Sequence, residues 1–152
     1  MSLVYVGLGS NLGDRAININ KARLELLSKP DITFVKESSI EETDPVDYVN
    51  QPLFLNQIIL VKTAIPPEKL LKIFKSIEKK LGRKKTILKG PRIIDIDILL
   101  YDDLIIKSQT LAIPHPEIKN RGFVLKHLLE IDANLIDPST GIPYINFLKS
   151  LT

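Results

Sequence analysis

An alternating stretch in the second half of the chain restricts its fold more than any other feature. Residues 93–100 read IIDIDILL. Successive side chains of a β-strand point to opposite faces of the sheet, so this pattern predicts a strand that carries Asp95 and Asp97 on one face. The isoleucines between and beside them lie on the other face, which is therefore expected to be buried in a core.

The paired carboxylates need a compensating charge. Two carboxylates close together repel each other, and on a central strand they also lose hydration, so the oxygen-preferring cation Mg²⁺ is the simplest compensation. The chain has no cysteine, which excludes disulfides, thiolate zinc sites and thiol nucleophiles and favours magnesium over zinc. The alternative is a solvated strand face on which Asp95 and Asp97 pair with neighbouring lysines or arginines.

Cationic residues flank this acidic strand in the sequence. They are Arg83, Lys84, Lys85, Lys89 and Arg92 before the strand and His115 and Arg121 after it. A polyphosphate that Mg²⁺ bridges and that Arg and Lys hold is the natural ligand of such a mixture, as in phosphoryl-transfer sites. Two other interpretations of the basic run remain open, a solvated loop and an RNA-binding loop.

The order of the predicted elements indicates the fold class. Periodicity and turn residues predict a strand over 3–8, a helix that Asp14 caps and Pro30 ends, strands over 32–40 and 54–63, a helix that opens at 66–68 and ends at Gly82, and a strand over 93–101. This is the split β-α-β order of a ferredoxin-like α+β domain, with a mostly antiparallel sheet and helices packed on one face. The other face is expected to be free.

Composition sets further limits. With 152 residues, of which 44% are hydrophobic, residues 1–152 are expected to form one domain that folds without disulfides. The net charge of +3 is too small to indicate nucleic-acid or membrane binding by itself. The N-terminus lacks the features of a signal peptide, and no apolar run approaches the roughly 20 residues of a membrane span. A cytoplasmic protein is therefore expected.

Some side chains allow a structural interpretation as well as a functional one. Glu78 lies at the edge of an apolar helical stripe, where a surface carboxylate paired with Lys75 is the simpler interpretation. His127 falls within a predicted helix over 123–131 and is interpreted as an ordinary helix-face residue, whereas His115 lies between two prolines and is expected on a shaped loop. The chain after this helix is expected to be a loop-rich ending.

Four separate motifs together carry a resemblance to a known family. They are Gly9-Ser10-Asn11-Leu12-Gly13; Gln51-Pro52-Leu53-Phe54-Leu55-Asn56; Gly90-Pro91-Arg92 with Asp95-Ile96-Asp97; and Pro114-His115-Pro116 followed by Asn120-Arg121-Gly122-Phe123. In this combination the chain resembles the 6-hydroxymethyl-7,8-dihydropterin pyrophosphokinases of folate biosynthesis, from its first strand to about Pro138. Each motif alone is not specific.

The resemblance implies a ferredoxin-like pyrophosphokinase domain and a reaction. Pyrophosphate passes from Mg-ATP to the hydroxymethyl oxygen of the pterin, which gives the pterin diphosphate and AMP, with two Mg²⁺ ions as cofactors. Asp95 and Asp97 would hold both metal ions and, with Arg83 and Arg92, form the catalytic set.

The resemblance also assigns residues to the two substrates. ATP would be bound by Glu78 at the sugar, by Ile98, Leu111 and Ala112 at the adenine, and by Lys85, Arg92, His115 and Arg121 at the phosphates. The pterin would be bound by Thr43, Pro45 and Val46 through the backbone, by Asn56 at its hydrogen-bonding edge, and by Phe54 and Phe123 on its two ring faces.

The chain departs from the family pattern at three positions. Lys85 takes the place of an Arg, Lys89 stands where a Trp commonly precedes the Gly-Pro-Arg motif, and Thr110 stands where some members have another Arg. Because Lys keeps the charge but lacks the bidentate fork, phosphate contacts by Lys85 are expected to be looser than those of an Arg.

Two alternatives from other functional classes are kept open. A small basic RNA-binding module can use a ferredoxin-like sheet, although carboxylates on the sheet face would repel the RNA backbone. An ordinary kinase of a small alcohol would release ADP instead of AMP. The favoured interpretation is a monomer that binds ATP and the pterin and binds neither nucleic acid nor membrane.

Overall fold

The computed structural model describes residues 1–45, 50–84 and 90–151. Its strands are β1 (Ser2–Ser10), β2 (Ile32–Glu37), β3 (Glu41–Thr43), β4 (Phe54–Thr63), β5 (Asp95–Tyr101), β6 (Ile106–Lys107) and β7 (Ala112–Ile113). Its helices are α1 (Arg15–Leu27), α2 (Pro67–Lys80), α3 (Gly122–Ile131) and α4 (Tyr144–Leu151), with a 3₁₀ helix at Ile118–Asn120. In these described ranges, no helix has both the length and the apolar character needed to cross a bilayer.

The main sheet has the strand order β2-β4-β1-β5, and β3 pairs with β4 beside β2. All of its pairings are antiparallel. β1 lies between β4 and β5, and β4 lies between β2 and β1, so α1 and α2 each connect two strands that have a third strand between them. This confirms the predicted ferredoxin-like α+β class with its split β-α-β units.

One face of the sheet packs on α1 and α2. Inward-facing residues of β1, β4 and β5 meet apolar residues of both helices, among them Val6, Ile59, Ile96, Leu26 and Phe74, all at most 1% exposed. The alternation predicted for β5 is confirmed, since its isoleucines belong to this core while Asp95 and Asp97 lie on the opposite face. Burial of this apolar surface is the main stabilising contribution to the fold.

Both predicted helix starts are confirmed. The side chain of Asp14 accepts a hydrogen bond from the backbone N–H of Ile17 at 3.1 Å, which caps α1. In α2, Pro67 is the first helical residue and Glu68 lies in the first turn, where its charge suits the helix dipole. Gly82, with a φ of 100°, follows the end of the helix as expected.

The second face of the sheet is not free, which corrects the expectation that all helices pack on one face. α3 and α4 cover part of this face and form a second core with β1, β4 and β5. The residues of this core include Tyr5, Leu60, Leu99, Leu125, Leu128, Ile131 and Tyr144. The uncovered part of the same face contains Asp95 and Asp97.

The structure also differs from the predicted element bounds. β2 ends at Glu37 and not at residue 40, β5 begins at Asp95 and not at residue 93, and the three-residue β3 was not predicted. The expected loop-rich ending is wrong in part, because α4 occupies Tyr144–Leu151. A helix of eight residues is not stable alone, so its formation depends on packing against α3, which local sequence does not show.

A buried carboxylate attaches the C-terminal segment to the rest of the second face. Asp137 has a fully buried side chain and accepts hydrogen bonds from the backbone N–H of Ser139, the hydroxyl of Thr140 at 2.8 Å and the hydroxyl of Tyr144 at 3.3 Å. Lys119 of the 3₁₀ helix forms an ion pair with it at 3.0 Å. Asp137 therefore connects α4 to the segment that carries His115 and Arg121.

We expect Asp137→Ala to lower the free energy of unfolding by about 3 kcal/mol at pH 7, because its buried partners lose their acceptor. Burial would raise the pKa of Asp137, but hydrogen bonds from Lys119 and Thr140 outweigh it and hold the pKa below its ordinary value. The stability from this carboxylate is thus present above the unfolded pKa of about 3.9 and is lost as the pH falls through the folded value.

Urea unfolding from pH 7 to pH 3 measures the difference in free energy of unfolding between wild type and variant. This difference should shrink below about pH 4. Asp103→Ala, at an exposed turn position, is the control and should change stability little. A difference that stays constant across this pH range would contradict the role given to the charge of Asp137.

Candidate active site

A pocket opens on the uncovered part of the second face. Its floor is β1, its sides are formed by β3, β4 and β5, and α3 and the segment before it form the wall above. The structure brings nine predicted site residues to its lining: Thr43, Phe54, Asn56, Arg92, Asp95, Asp97, His115, Arg121 and Phe123. Acidic, cationic and aromatic residues from distant parts of the chain thus meet in one place.

Glycines of β1 keep the pocket floor open. Gly7 and Gly9 both line it, between β4 on one side and β5 on the other. A Cβ atom at Gly9 would lie 3.1 Å from Oδ1 of Asn56, so a side chain there would displace this amide. The floor therefore suits a flat molecule that lies close to the backbone.

Asp95 is paired with two arginines. Nη1 of Arg83 lies 2.7 Å from one carboxylate oxygen of Asp95, and Nε of Arg92 lies 3.5 Å from the other. Burial alone would raise the pKa of Asp95, but Arg92 and Arg83 outweigh it and hold the pKa below its ordinary value. Asp95 is therefore ionised at neutral pH.

Asp97 has the opposite electrostatic character. Burial in the first place and the charge of Asp95 in the second raise the pKa of Asp97 from 3.8 to about 8. Without a further cation nearby, Asp97 holds a proton at neutral pH. Two adjacent carboxylates that lack sufficient positive charge form a donor set that a divalent, oxygen-preferring cation would complete.

The protein supplies few further metal ligands. Within the ranges that the structure describes, no group of three or more His, Asp or Glu side chains is arranged to hold a metal ion. The carboxylates of Asp95 and Asp97 therefore fit Mg²⁺, which commonly takes one or two carboxylates and completes its shell with water and substrate phosphates. They fit zinc poorly, because structural and catalytic zinc sites use three or four protein ligands.

Glu78 is a buried structural group and not the surface carboxylate that the sequence suggests. Its side chain is 4% exposed and accepts a hydrogen bond from the backbone N–H of Ile96 at 2.7 Å. It also forms ion pairs with Arg83 at 3.1 Å and with Lys75 at 3.4 Å, the partner expected from the sequence. Chiefly because of burial, the pKa of Glu78 is raised. Glu78 thus fixes β5 at Ile96, the residue between the two aspartates, and it does not line the pocket.

Asn11 joins three of the sequence motifs, a role that the sequence analysis missed. Its Oδ1 accepts the backbone N–H of Arg92 at 2.8 Å, and its own N–H donates to the carbonyl of Arg92 at 3.1 Å. Its Nδ2 donates to Oε1 of Gln51 at 2.9 Å and to the carbonyl of Pro52 at 3.0 Å. Asn11 is 2% exposed, so its contribution is to position the neighbouring motifs.

Arg92 connects the acidic and aromatic ends of the pocket. Its guanidinium carbon lies 4.6 Å from the ring centroid of Phe54, a cation–π distance, while its Nε faces Asp95. Arg121 lines the same pocket, and its buried Nε forms an ion pair with Glu117 at 3.9 Å but has no partner within hydrogen-bond distance among the described residues. A buried guanidinium N–H without an acceptor fits a site that takes an anion.

The aromatic end is formed by β3, β4 and α3. Thr43 and Phe54 are register partners of β3 and β4, and Nδ2 of Asn56 donates to Oγ1 of Thr43. Phe123 lies in the first turn of α3, on the wall above them. The backbone N–H of His115 donates to the carbonyl of Leu99 at 2.9 Å, which fixes the chain just before this helix.

Other predicted site residues do not line the pocket. Ile98 and Leu111 are 3% and 6% exposed and belong to the core on the opposite face, and Ala112 lies on β7 beside this core. Pro45 is buried outside the lining, and Arg83 reaches the site through Asp95. Val46, Lys85 and Lys89 lie outside the described residues.

We expect Asp97→Asn to stabilise the metal-free protein above pH 8. A carboxyl whose pKa rises from 3.8 to about 8 on folding costs stability as the pH rises through this window, since only the unfolded state is ionised there. The Tm of the variant should exceed that of wild type by an amount that grows from pH 4 to pH 8 and then levels off.

Thermal unfolding in EDTA over this pH range checks the expectation, with Asp103→Asn as the exposed control. Mg²⁺ should raise the Tm of wild type more at pH 9 than at pH 6, because it competes with the proton on Asp97. A Tm difference that does not change with pH would mean that Asp97 ionises normally.

Comparison with known proteins gives the same family as the motifs. The family model described as 7,8-dihydro-6-hydroxymethylpterin-pyrophosphokinase (HPPK) matches residues 5–133. The 2-amino-4-hydroxy-6-hydroxymethyldihydropteridine pyrophosphokinase of Aquifex aeolicus is 44% identical over 147 residues, which cover 97% of this chain and 91% of that protein. The corresponding protein of Bacillus subtilis is 42% identical over 130 residues, with coverages of 86% and 78%.

Several similar proteins are much longer than this chain. The folic acid synthesis protein fol1 of Pneumocystis carinii is 44% identical over 148 residues, which cover 97% of this chain and 20% of that protein. The chain thus spans about a fifth of the length of that relative. The crystal structure of Plasmodium falciparum HPPK-DHPS with pteroate matches 99% of this chain and 42% of that one, with a TM-score of 0.77 and 17% identity, which shows the shared fold. The chain belongs to the 7,8-dihydro-6-hydroxymethylpterin-pyrophosphokinase family.

Proposed function

We propose that the protein transfers pyrophosphate from Mg-ATP to 6-hydroxymethyl-7,8-dihydropterin, giving the pterin diphosphate and AMP, as a step of folate biosynthesis. The observation that carries this proposal is the continuity of the pocket, in which Arg92 contacts both Asp95 of the acidic end and Phe54 of the aromatic end. One end suits a metal-bound polyphosphate and the other a flat heterocycle. The reacting groups of two such substrates would meet between them.

Asp95 and Asp97 are the proposed metal ligands, for two Mg²⁺ ions. Bound there, Mg²⁺ would supply charge neutralisation and orientation of the phosphate oxygens. The chain contributes the carboxylates on a rigid central strand, which Glu78 fixes through the N–H of Ile96. Because strands are more rigid than loops, this placement holds the metal ligands accurately.

The phosphates are the proposed ligands of Arg83, Arg92, His115 and Arg121, with Lys85 as a further cation. The pairing of Arg83 and Arg92 with Asp95 keeps two guanidinium groups close to the acidic end. Arg121 supplies the buried Nε that lacks a hydrogen-bond acceptor among the described residues. Planar guanidinium groups bind phosphate oxygens bidentately and stabilise the charge that spreads over them during transfer.

The nucleoside is proposed to bind near β5 and β7, where Ile98, Leu111 and Ala112 lie. We infer that Glu78 acts on this side through Arg83 and β5 and not by direct contact with the sugar. Its carboxylate is almost completely buried and already accepts from Ile96 and pairs with Lys75 and Arg83. A sugar hydroxyl would have to displace one of these partners.

The pterin is proposed to lie on the glycine floor between the rings of Phe54 and Phe123. Stacking on both faces suits a flat heterocycle. Asn56, held by Thr43, is proposed to read its hydrogen-bonding edge. Backbone groups near Thr43 and Pro45, and at Val46 outside the described residues, are proposed to contribute. Shape and hydrogen bonding together would select a pterin over other aromatic molecules.

Catalysis is proposed to come from positioning and charge neutralisation. The hydroxymethyl oxygen of the pterin gives up its proton to water and attacks the β-phosphorus of ATP, the bond from this phosphorus to the oxygen that bridges it to the α-phosphorus breaks, and AMP leaves with that oxygen. Ionised Asp95 is proposed to orient the attacking hydroxyl, and Arg92, which lines the same pocket and pairs with Asp95, to hold the transferred group. The chain needs no covalent intermediate for this transfer.

The protein is proposed to act as one domain over residues 1–152 and as a cytoplasmic monomer whose partners are ATP and the pterin. The alternative of an RNA-binding module gains no support, because the family match is to a pyrophosphokinase. The open sheet face also carries the ionised carboxylate of Asp95, which would repel an RNA backbone.

We expect the wild-type protein, given ATP, Mg²⁺ and the reduced hydroxymethylpterin, to produce AMP and pterin diphosphate in equal amounts. Asp95→Asn and Asp97→Asn should each lower kcat by at least about 100-fold, because each removes a charged metal ligand. Chromatography of the nucleotide products measures both expectations. Asp103→Asn, at an exposed position beyond β5, is the matched control and should retain activity.

Formation of ADP instead of AMP would replace this proposal with a single phosphoryl transfer. Full activity of both aspartate variants would contradict the metal site while leaving the reaction in place. Circular dichroism of each variant shows that a loss of activity does not come from unfolding.

A further inference from the structure

A histidine that the proposed chemistry does not use lies in the wall of the pocket. His127 is 2% exposed, lines the pocket and lies one helical turn after Phe123 on α3. Its ring meets that of Phe123 edge-on, with centroids 6.4 Å apart. It is therefore not the ordinary helix-face residue that the sequence suggests.

His127 connects α3 to β3. Its Nε2 lies 3.1 Å from Oε1 of Glu41, the first residue of β3. Its buried Nδ1 has no hydrogen-bond partner among the described residues. Among the described residues, Nε2 is thus the ring nitrogen that makes a hydrogen bond, and Glu41 fixes the orientation of the ring.

The two elements that this contact joins carry opposite walls of the aromatic end. β3 contains Thr43 and is paired with β4 so that Glu41 lies opposite Asn56. α3 carries Phe123. β3 has only three residues and pairs with β4 alone among the described strands, so it depends on side-chain contacts, among them the one at Glu41 and the ion pair of Glu42 with Arg15 at 2.8 Å.

The position of this contact in the sheet separates it from the metal site. Across the sheet, β5 with Asp95 and Asp97 comes first, followed by β1, β4 and β3. Adjacent strands are about 4.8 Å apart, so β4 is roughly 10 Å from β5 and β3 lies on the far side of β4. A change at Glu41 or His127 should therefore reach the aromatic end and leave the acidic end unaffected.

We propose that the Glu41–His127 hydrogen bond is a positioning contact that fixes the spacing between the two walls of the pterin site, so that His127 is a positioning residue for the pterin and not for the nucleotide. This inference rests on the proposed function. The bond sets the separation of Asn56 and Thr43 from Phe123, on which both stacking and edge recognition depend.

A second contact between the same two parts of the chain provides a matched control. Glu130 of α3 accepts from the backbone N–H of Ser39 at 2.8 Å and from its hydroxyl at 3.0 Å. It also joins α3 to the chain beside β3, but it does not line the pocket. Loss of the Glu130 side chain should lower stability without raising KM for one substrate more than for the other.

The test compares KM for the pterin and KM for ATP in five variants: His127→Ala, Glu41→Ala, the double variant, His127→Gln and Glu130→Ala. The first two should each raise KM for the pterin about tenfold and leave KM for ATP within about twofold of wild type, as expected for loss of one positioning hydrogen bond. Glu41→Ala also removes the ion pair of Glu41 with Lys126 at 3.6 Å, so the double variant should resemble Glu41→Ala, in which the contact with His127 is already lost. His127→Gln keeps a side-chain N–H and should stay within about threefold of wild type.

Binding of the oxidised 6-hydroxymethylpterin, followed by its fluorescence, gives a readout that does not need turnover. Its Kd should rise about tenfold in His127→Ala and Glu41→Ala and remain unchanged in Glu130→Ala. Glu41 is partly exposed, so Glu41→Ala tests the contact even if His127→Ala does not fold. Thermal unfolding of each variant sets an assay temperature at which all are folded.

Several results would overturn the inference: equal increases in KM for both substrates, additive effects in the double variant, or the same selective loss in Glu130→Ala. A wild-type protein that binds the pterin but makes no AMP would contradict the proposed function alone, and the Kd values would still decide the role of His127. A wild-type protein that binds no pterin would overturn both.

Discussion

The close placement of two carboxylates on β5 is the constraint on which the site depends. Asp95 and Asp97 share a sheet face, and without a further cation they differ in charge state, since arginines keep Asp95 ionised while burial and Asp95 keep a proton on Asp97. An arrangement with this electrostatic cost persists only where the surrounding structure holds it. Glu78 and Arg83 provide this support, through the N–H of Ile96 and the ion pair to Asp95.

Much of this arrangement could be predicted from the sequence, because the alternation that buries Ile96 is the same pattern that places Asp95 and Asp97 together. The sheet could be predicted for a similar reason. The periodicity that identifies each strand or helix lies within that element, and the order of these elements along the chain indicates the sheet. The helix α4, the cover on the second face and the burial of Glu78 could not be predicted in this way. Each depends on packing between segments that are distant in the chain, which local patterns do not contain.

The same limit explains which site residues were missed. Asn11 was recognised only as part of a motif, and His127 as a helix residue, although each joins separate parts of the pocket. Their partners lie 81 and 86 positions away in the chain. Sequence shows which residue types suit a ligand, whereas the residues that hold these groups in place are identified by contacts.

The sheet divides the proposed chemistry between its strands. β5 carries the charges, β4 and β3 carry the aromatic and amide groups, and β1 between them contributes glycines that leave room for both substrates. α3 spans this division, because Arg121 precedes its first turn, Phe123 lies within that turn and His127 lies one turn further on. The two ends of this stretch are fixed separately, because the ion pair of Lys119 with Asp137 lies beside Arg121 and the contact of His127 with Glu41 lies one turn beyond Phe123. The Asp137 contact thus acts on the phosphate side and the Glu41 contact on the pterin side, although neither touches a substrate.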